Sequence, residues 1–234
     1  MSVPAARRLW AIVPAAGRGE RFAYAASPSI PKQYALLRGK SVLEWSLRAL
    51  LTESRIQGIV VVLAAGDERW SEIARNLDSA KLLTTIGGAH RQDSVLNGLA
   101  YLAPSVQADD WILVHDAARP CLRGSDIGAL IDALENIPSG AAGGLGGAVL
   151  AAPIVDTVRR ELANGLETVD RAGLWRALTP QVFGYAQLRQ ALEDAAANGL
   201  TVSDEAQALE RLGIRAALVP GSPFNIKVTR AEDL

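Results

Sequence analysis

The residues best suited to chemistry lie in Pro14-Ala15-Ala16-Gly17-Arg18-Gly19-Glu20-Arg21-Phe22, read together with Pro31-Lys32-Gln33. The apolar run Leu9-Trp10-Ala11-Ile12-Val13 just upstream predicts a strand buried on both faces. Small residues and glycines then let the backbone turn tightly and present N–H groups with no Cβ in the way. At the carboxyl end of a sheet strand, such a turn is where open α/β sheets place phosphates. Arg21 closes the turn. Lys32 follows the small-residue stretch Ala23-Tyr24-Ala25-Ala26-Ser27-Pro28-Ser29, which reads as a flap over it. A glycine turn flanked by Arg and Lys is a sensible receptor for a polyphosphate, and the plainer alternative is a surface loop with solvated cations.

Further candidates sit at other strand ends. Trp111-Ile112-Leu113-Val114 predicts a buried strand running into His115-Asp116-Ala117-Ala118-Arg119-Pro120. A carboxylate there, Asp116, suits a metal-nucleotide or a hydroxyl-bearing substrate. His115 reads as a packed, hydrogen-bonded histidine, and a lone His offers no metal constellation. Lys81 to Ile86 predicts a strand ending in Gly87-Gly88, with Ser94 in the helix that opens at Arg91; Ser94 and the glycine backbone could read a base edge, although helix capping explains the same residues. Lys227 lies between Ile226 and Val228, so alternation in a strand over 226–229 turns it away from apolar neighbours and toward the site.

Rival glycine-loop chemistries fail on particular residues. A dinucleotide fingerprint needs a third small residue where Phe22 stands. Gly39-Lys40-Ser41 resembles the end of a Walker loop but has Tyr34 where the upstream glycine belongs. It reads instead as a turn into a helix with Ser41 and Glu44 as capping box, followed by Leu43, Leu47, Leu50 and Leu51 at helical spacing.

The elements that position these residues alternate between strand and helix. Ile59 to Leu63 is a second buried strand, and its spacing from the first implies a parallel pair with a right-handed crossover. Asp67 caps a helix through Ala74, and 124–134 is helical. The segment 139–147 reads as a flexible connector, followed by a strand over 148–154. Asn164-Gly165, between Asp156 to Glu161 and Glu167 to Arg171, signals a hairpin with too little apolar surface to stand alone. It should lie on a second copy of the chain or extend the chain's own sheet edge. Helices follow over 185–197 and from a cap at Ser203, the latter with Asp204 and Glu205 in its first turn; Ser203 could also reach a ligand. A strand over 216–219 comes next. The class is α/β, a mostly parallel twisted sheet flanked by helices.

Composition narrows the partners. With 234 residues, 49% hydrophobic residues and a net charge of −1, the chain reads as one ordinary soluble domain over 1–234, with a β-arm at about 154–175. No dense Lys/Arg run marks a nucleic-acid or membrane surface. Cys121 is the sole cysteine, which suits a reducing, cytoplasmic setting, and neither a signal peptide nor a membrane-length apolar span is visible.

Taken together, the motifs resemble a nucleotidyltransferase signature, Pro14 to Phe22 with Pro31-Lys32-Gln33-Tyr34. The later blocks resemble the 2-C-methyl-D-erythritol 4-phosphate cytidylyltransferases: Arg91-Gln92-Asp93-Ser94-Val95, Val114 to Pro120, Ala152 to Thr157, Thr168 to Arg171, Leu178 to Gln181, Asp204-Glu205-Ala206 and Asn225 to Thr229, in that order. The resemblance implies a Rossmann-like nucleotidyltransferase fold. It also implies transfer of CMP from CTP to methylerythritol phosphate, with loss of pyrophosphate, in the non-mevalonate isoprenoid route. By the same resemblance, Arg21 and Lys32 stabilise charge at the reacting phosphorus, and Arg171 and Lys227 position the acceptor phosphate. Asp116, Arg119, Thr157 and Thr179 hold the acceptor, and Ala15, Ala16, Gly17, Gly19, Gly88 and Ser94 meet the nucleotide. Mg²⁺ is expected to bridge the CTP phosphates, largely through water. The resemblance also implies that the arm is exchanged in a homodimer, so that Thr157 and Arg171 serve the neighbouring site. Ala89 stands where an acidic residue is expected, Ser203 where a threonine is, and Phe224 where Asp is. The flap is longer than expected, and the last residues read as the start of a truncated helix. The alternatives are a cytidylyltransferase for another polyol phosphate such as ribitol 5-phosphate, a non-catalytic module keeping the fold, and, weakest, a dinucleotide oxidoreductase.

Overall fold

The computed structural model describes residues 7–17, 30–135, 137 and 145–234. Leu9–Pro14 forms β1, and a single 3-10 turn at Lys32–Tyr34 leads to the short pair β2 (Leu36–Leu37) and β3 (Lys40–Ser41). Next come α1 (Val42–Leu51), β4 (Ile56–Leu63), α2 (Trp70–Leu77), β5 (Leu82–Ile86), α3 (Arg91–Leu102), β6 (Trp111–Val114) and α4 (Gly124–Glu135). The second half contains β7 (Leu145–Pro153), the hairpin β8 (Val158–Leu162) and β9 (Gly165–Val169), β10 (Trp175–Gly184), α5 (Tyr185–Ala197), α6 (Glu205–Arg211) and β11 (Arg215–Pro220).

The main sheet has the order β11-β7-β10-β6-β1-β4-β5, and β10 is the one strand antiparallel to its neighbours. β1 pairs in parallel with β4 on one side and β6 on the other, with Ala11 opposite both Ile59 and Leu113. The chain steps outward from β1 through β4 to β5, then returns to lay β6 on the free edge of β1. That reversal opens a crevice at the carboxyl ends of the central strands, where α/β sheets bind ligands.

Alternation along the central strands divides the core into layers. Ala11, Val13, Ile59, Val61 and Leu113 pack with Leu43, Leu47, Ile73 and Leu130, from helices on one face. Ile12, Val60, Val62, Ile112 and Val114 pack with Leu99, Leu188 and Leu209, from helices on the other. Strands covered on both faces are continuous apolar runs, as these sequences are. Among the described residues no helix is long and apolar enough to cross a membrane.

Several expectations are corrected. The strand expected over 148–154 begins at Leu145 and takes in Gly146 and Gly147, which composition assigns to a connector. A Cβ on Gly147 would lie 2.0 Å from the Val182 carbonyl oxygen, so glycine is what lets β10 pair this closely. The rest of that connector, 139–144, lies outside the described residues. The segment 226–229 is not a strand, although its Val228 N–H reaches the Ala118 carbonyl at 2.8 Å. The hairpin turns on Ala163-Asn164, with Gly165 at φ +138° pairing Leu162 as the first residue of β9; hairpin and main sheet are separate. Asp204 rather than Ser203 caps α6, accepting from the Gln207 N–H at 2.9 Å. Asp67 accepts the Arg69 and Trp70 N–H groups ahead of α2, which runs past Ala74 to Leu77. Ser41 caps α1 by accepting from the Glu44 N–H, but the Glu44 carboxylate bonds Arg48 one turn on, so the reciprocal half of the capping box is not made.

Candidate active site

A cavity of about 920 Å³ opens at the carboxyl ends of β1, β4, β5 and β6. Pro14 to Gly17 form one wall. Gly87 to Arg91, with Ser94, form another, and Asp116 to Ala118 lie between them. Lys32, Gln33, Lys227 and Thr229 complete the polar lining.

The glycine turn is held from behind. The buried Gln33 amide donates to the carbonyls of Ala15 at 2.7 Å and Gly17 at 2.9 Å. Both carbonyls are thereby drawn toward Gln33, which fixes the backbone from Ala15 to Gly17. Tyr34 anchors the Lys32–Tyr34 turn in its place by donating to Asp67 at 2.6 Å; burial first, and then this bond, push the phenol well above its usual pKa. Across the cavity, a Cβ on Gly87 would sit 2.5 Å from the Ala16 side chain and 2.8 Å from Ser94 Oγ, so the two walls meet only because this residue is glycine. Ser94 Oγ accepts from the Gly88 N–H and donates to the His90 carbonyl, each at 3.2 Å. The capping of α3 foreseen as the alternative to base reading is made by Asp93 instead, which accepts from the His90 N–H at 2.9 Å.

Asp116 gathers the charge of the site. Its Oδ1 accepts from Arg91 Nε at 2.9 Å, and its Oδ2 lies 2.8 Å from Lys227 Nζ and 3.6 Å from Arg119 Nε. Burial alone would raise this carboxyl, but the charges of Arg91, Lys227 and Arg119 outweigh it and hold the group far below the usual carboxylate range. Arg91 also forks onto the fully buried Glu205, with nitrogen to oxygen distances of 2.6 and 3.0 Å. Desolvation opposes the Arg91 charge, yet Glu205 and Asp116 raise its pKa further.

Behind the carboxylate runs a closed chain of hydrogen bonds. The Asp116 N–H donates to Thr179 Oγ1 at 3.1 Å, Thr179 pairs with His115 Nδ1 at 3.0 Å, and His115 Nε2 pairs with the Arg119 carbonyl at 3.2 Å. The carbonyl can only accept, so Nε2 carries the proton, Nδ1 accepts from the Thr179 hydroxyl, and a neutral imidazole satisfies every member. Burial pushes His115 down to about 4, against the opposing pull of Asp116. Lys227 owes its position to Asn225, whose amide donates to the Thr179 carbonyl and whose own carbonyl accepts from Arg119, each at 2.7 Å.

The predicted site residues therefore separate into groups. Ala15, Ala16, Gly17, Lys32, Gly88, Ser94, Asp116 and Lys227 line one cavity. Arg119 and Thr179 are buried behind it and bond Asp116 and its neighbours, instead of lining the space an acceptor would enter. Thr157 and Arg171 are exposed beside the hairpin and do not line the cavity, and Arg171 donates to the Val155 carbonyl. Arg21 and Gly19, with the flap, lie outside the described residues. Sequence reasoning assigned no role of their own to Gln33 or Arg91, and to Glu205 only a place in the first turn of a helix. Arg91 carried one signal, a cation at the first residue of a helix, where the helix dipole disfavours it.

The sequence matches the family described as IspD, 2-C-methyl-D-erythritol 4-phosphate cytidylyltransferase, over residues 9–234. A relative of that name from Acidithiobacillus ferrooxidans is 45% identical over 232 residues, 97% of this chain and 93% of the relative. Another, from Vibrio parahaemolyticus, is 45% identical over 226 residues, 96% of this chain and 91% of its own. Among solved structures, the 2-C-methyl-D-erythritol 4-phosphate cytidylyltransferase of Francisella tularensis superposes with a TM-score of 0.77 at 31% identity, covering 97% of this chain and 96% of that one. The Thermus thermophilus enzyme of the same name gives 0.73 at 28% identity, with coverage of 95% and 93%.

Proposed function

This chain belongs to the 2-C-methyl-D-erythritol 4-phosphate cytidylyltransferase family, and from that premise we propose how its residues divide the work. The reaction is CTP-dependent cytidylyl transfer to 2-C-methyl-D-erythritol 4-phosphate, an enzymatic step of isoprenoid precursor synthesis. An acceptor phosphate oxygen attacks the α-phosphorus of CTP, the bond from that phosphorus to the bridging oxygen breaks, and pyrophosphate leaves. The nucleophile is already an anion, so catalysis rests on positioning and charge neutralisation rather than on a strong base. One observation carries this reading: Lys32, Arg91, Lys227 and Asp116 converge on one cavity beside a glycine turn. The turn and the Gly88 backbone take the nucleotide, Lys32 with Arg21 neutralises charge at the α-phosphorus, and Asp116 meets the acceptor hydroxyls. Lys227 passes from Asp116 to the acceptor phosphate. Arg119 and Thr179 act by holding Asp116.

Asp116 is the one carboxylate lining the cavity among the described residues, and both its oxygens are engaged by cations. The described side chains therefore do not fit a resident metal, and we propose that Mg²⁺ enters with the CTP phosphates, through water. For Thr157 and Arg171 the support is geometric. They sit at the base of an exposed two-stranded arm, and such an arm is marginal alone. We propose that in a homodimer each arm delivers them to the partner's cavity, in a single-domain, cytoplasmic enzyme. The reading is tested by pyrophosphate release from CTP with methylerythritol phosphate, with UTP and ATP as controls and ribitol 5-phosphate as rival acceptor. Release with CTP and methylerythritol phosphate alone is expected; none from that pair refutes it.

A further inference from the structure

Glu205 is fully buried at the start of α6, and among the described residues both its oxygens bond the Arg91 guanidinium. Arg91 begins α3 and Asp116 follows β6, so a single planar guanidinium ties these elements together at the cavity wall. With Nε on Asp116 and both terminal nitrogens on Glu205, its plane is determined from each side. A buried ion pair is weak evidence for stability, because desolvation offsets much of its attraction. A cation at a helix N-terminus is a further cost. Arg91 nevertheless lines the cavity, its side chain 28% exposed.

We propose that Glu205 is a positioning residue for the acceptor half of the reaction. By holding the terminal nitrogens of Arg91, it limits that arginine to one oxygen of Asp116 and leaves Oδ2 to Lys227 and the incoming acceptor. Without Glu205 the Arg91 fork is free to take both Asp116 oxygens, the geometry an arginine prefers on a carboxylate, and the acceptor hydroxyls then compete with it. The inference rests on the reading that Asp116 meets the acceptor.

The experiment is steady-state pyrophosphate release with each substrate varied in turn, on Glu205→Gln, Arg91→Gln, the charge-balanced double variant, and Asp116→Asn. Glu205→Gln should raise the KM for methylerythritol phosphate by about tenfold, the scale of a small displacement in a reacting geometry, while the KM for CTP stays near its original value. The double variant should be no worse than Arg91→Gln, because Glu205 acts only through Arg91. An unchanged acceptor KM, a rise in the CTP KM, or single effects that multiply in the double variant would overturn the role. Should Glu205→Gln not fold, Glu205→Asp takes its place; it keeps the charge, withdraws the carboxylate by a methylene, and carries the same expectation. Asp116→Asn separates the premises: if it leaves the acceptor KM unchanged, the reading of Asp116 fails. If it raises that KM and Glu205→Gln does not, only the role of Glu205 fails.

Discussion

Gln33→Leu removes one amide and little volume, and it tests whether the glycine turn is pre-set from behind. The Gln33 amide makes hydrogen bonds of 2.7 and 2.9 Å to the Ala15 and Gly17 carbonyls. At about 1 kcal/mol net for each neutral bond, the loss is about 2 kcal/mol, and a buried carbonyl left without a donor adds about 1–3 kcal/mol. The turn has two ways to respond. If it keeps its shape, both losses stand, and about 3–5 kcal/mol in a chain of this size lowers the melting temperature by roughly 6–20 °C. If the carbonyls swing toward water, most of that stability returns. The N–H groups then no longer face the nucleotide, and kcat/KM for CTP falls by about 30-fold for the same 2 kcal/mol. The assay is pyrophosphate release with CTP varied at saturating acceptor, alongside calorimetry. Gln33→Glu, of equal shape but presenting an acceptor to two carbonyls, should be at least as damaging. Both variants matching the parent enzyme within roughly twofold in kcat/KM, with no change in melting temperature, would refute the reasoning.

Other outcomes follow from the same geometry. Lys32→Ala should fold normally and lose on the order of a hundredfold or more in turnover, since a cation is removed from the developing charge; retention of most of the rate would remove Lys32 from its role. Mixing Lys32→Ala with Arg171→Ala chains should restore some activity through heterodimers if the arm serves the partner's site, and no restoration would show self-contained sites. His115 is held neutral, with its pKa pushed down to about 4 from an ordinary value of 6.5, so the folded chain binds this proton less readily than the unfolded one. Its stabilising contribution is complete above about pH 6.5 and is lost as pH falls toward about 4, on the order of 3 kcal/mol. Melting curves across that window should steepen for the parent chain and flatten in His115→Gln; parallel curves would contradict the assignment. Chelation by EDTA should stop pyrophosphate release and added Mg²⁺ should restore it, whereas turnover indifferent to EDTA would exclude the ion.

Local pattern carried the α/β class and much of the element layout. The strand predicted at Trp111 to Val114 and the helix predicted over 185–197 have those bounds in the structure, because apolar runs and helical periodicity are properties of adjacent residues. The motifs also placed Lys32, Asp116, Gly88 and Lys227 in one site before any fold was known, and the cavity contains them all. Lys227 arrived there by a different route from the one expected, on an irregular segment anchored by Asn225 instead of on a strand. Composition misread Gly146-Gly147 for the converse reason: what makes glycine necessary at Gly147 is the Val182 carbonyl across the sheet, which no nearby residue reveals.

By itself, then, the amino-acid order determined which stretches would be buried strands, where the glycine turn would fall and which cations could meet a phosphate, because these depend on neighbours along the chain. Tertiary structure decided what each polar group faces. It set Arg119 and Thr179 behind the carboxylate, brought Gln33 under the turn, and joined Arg91 to Glu205 across 114 positions of sequence. The physical reason is that an ion pair or hydrogen bond depends on distance in space and on what water is excluded, and both exist only once the sheet has ordered its strands.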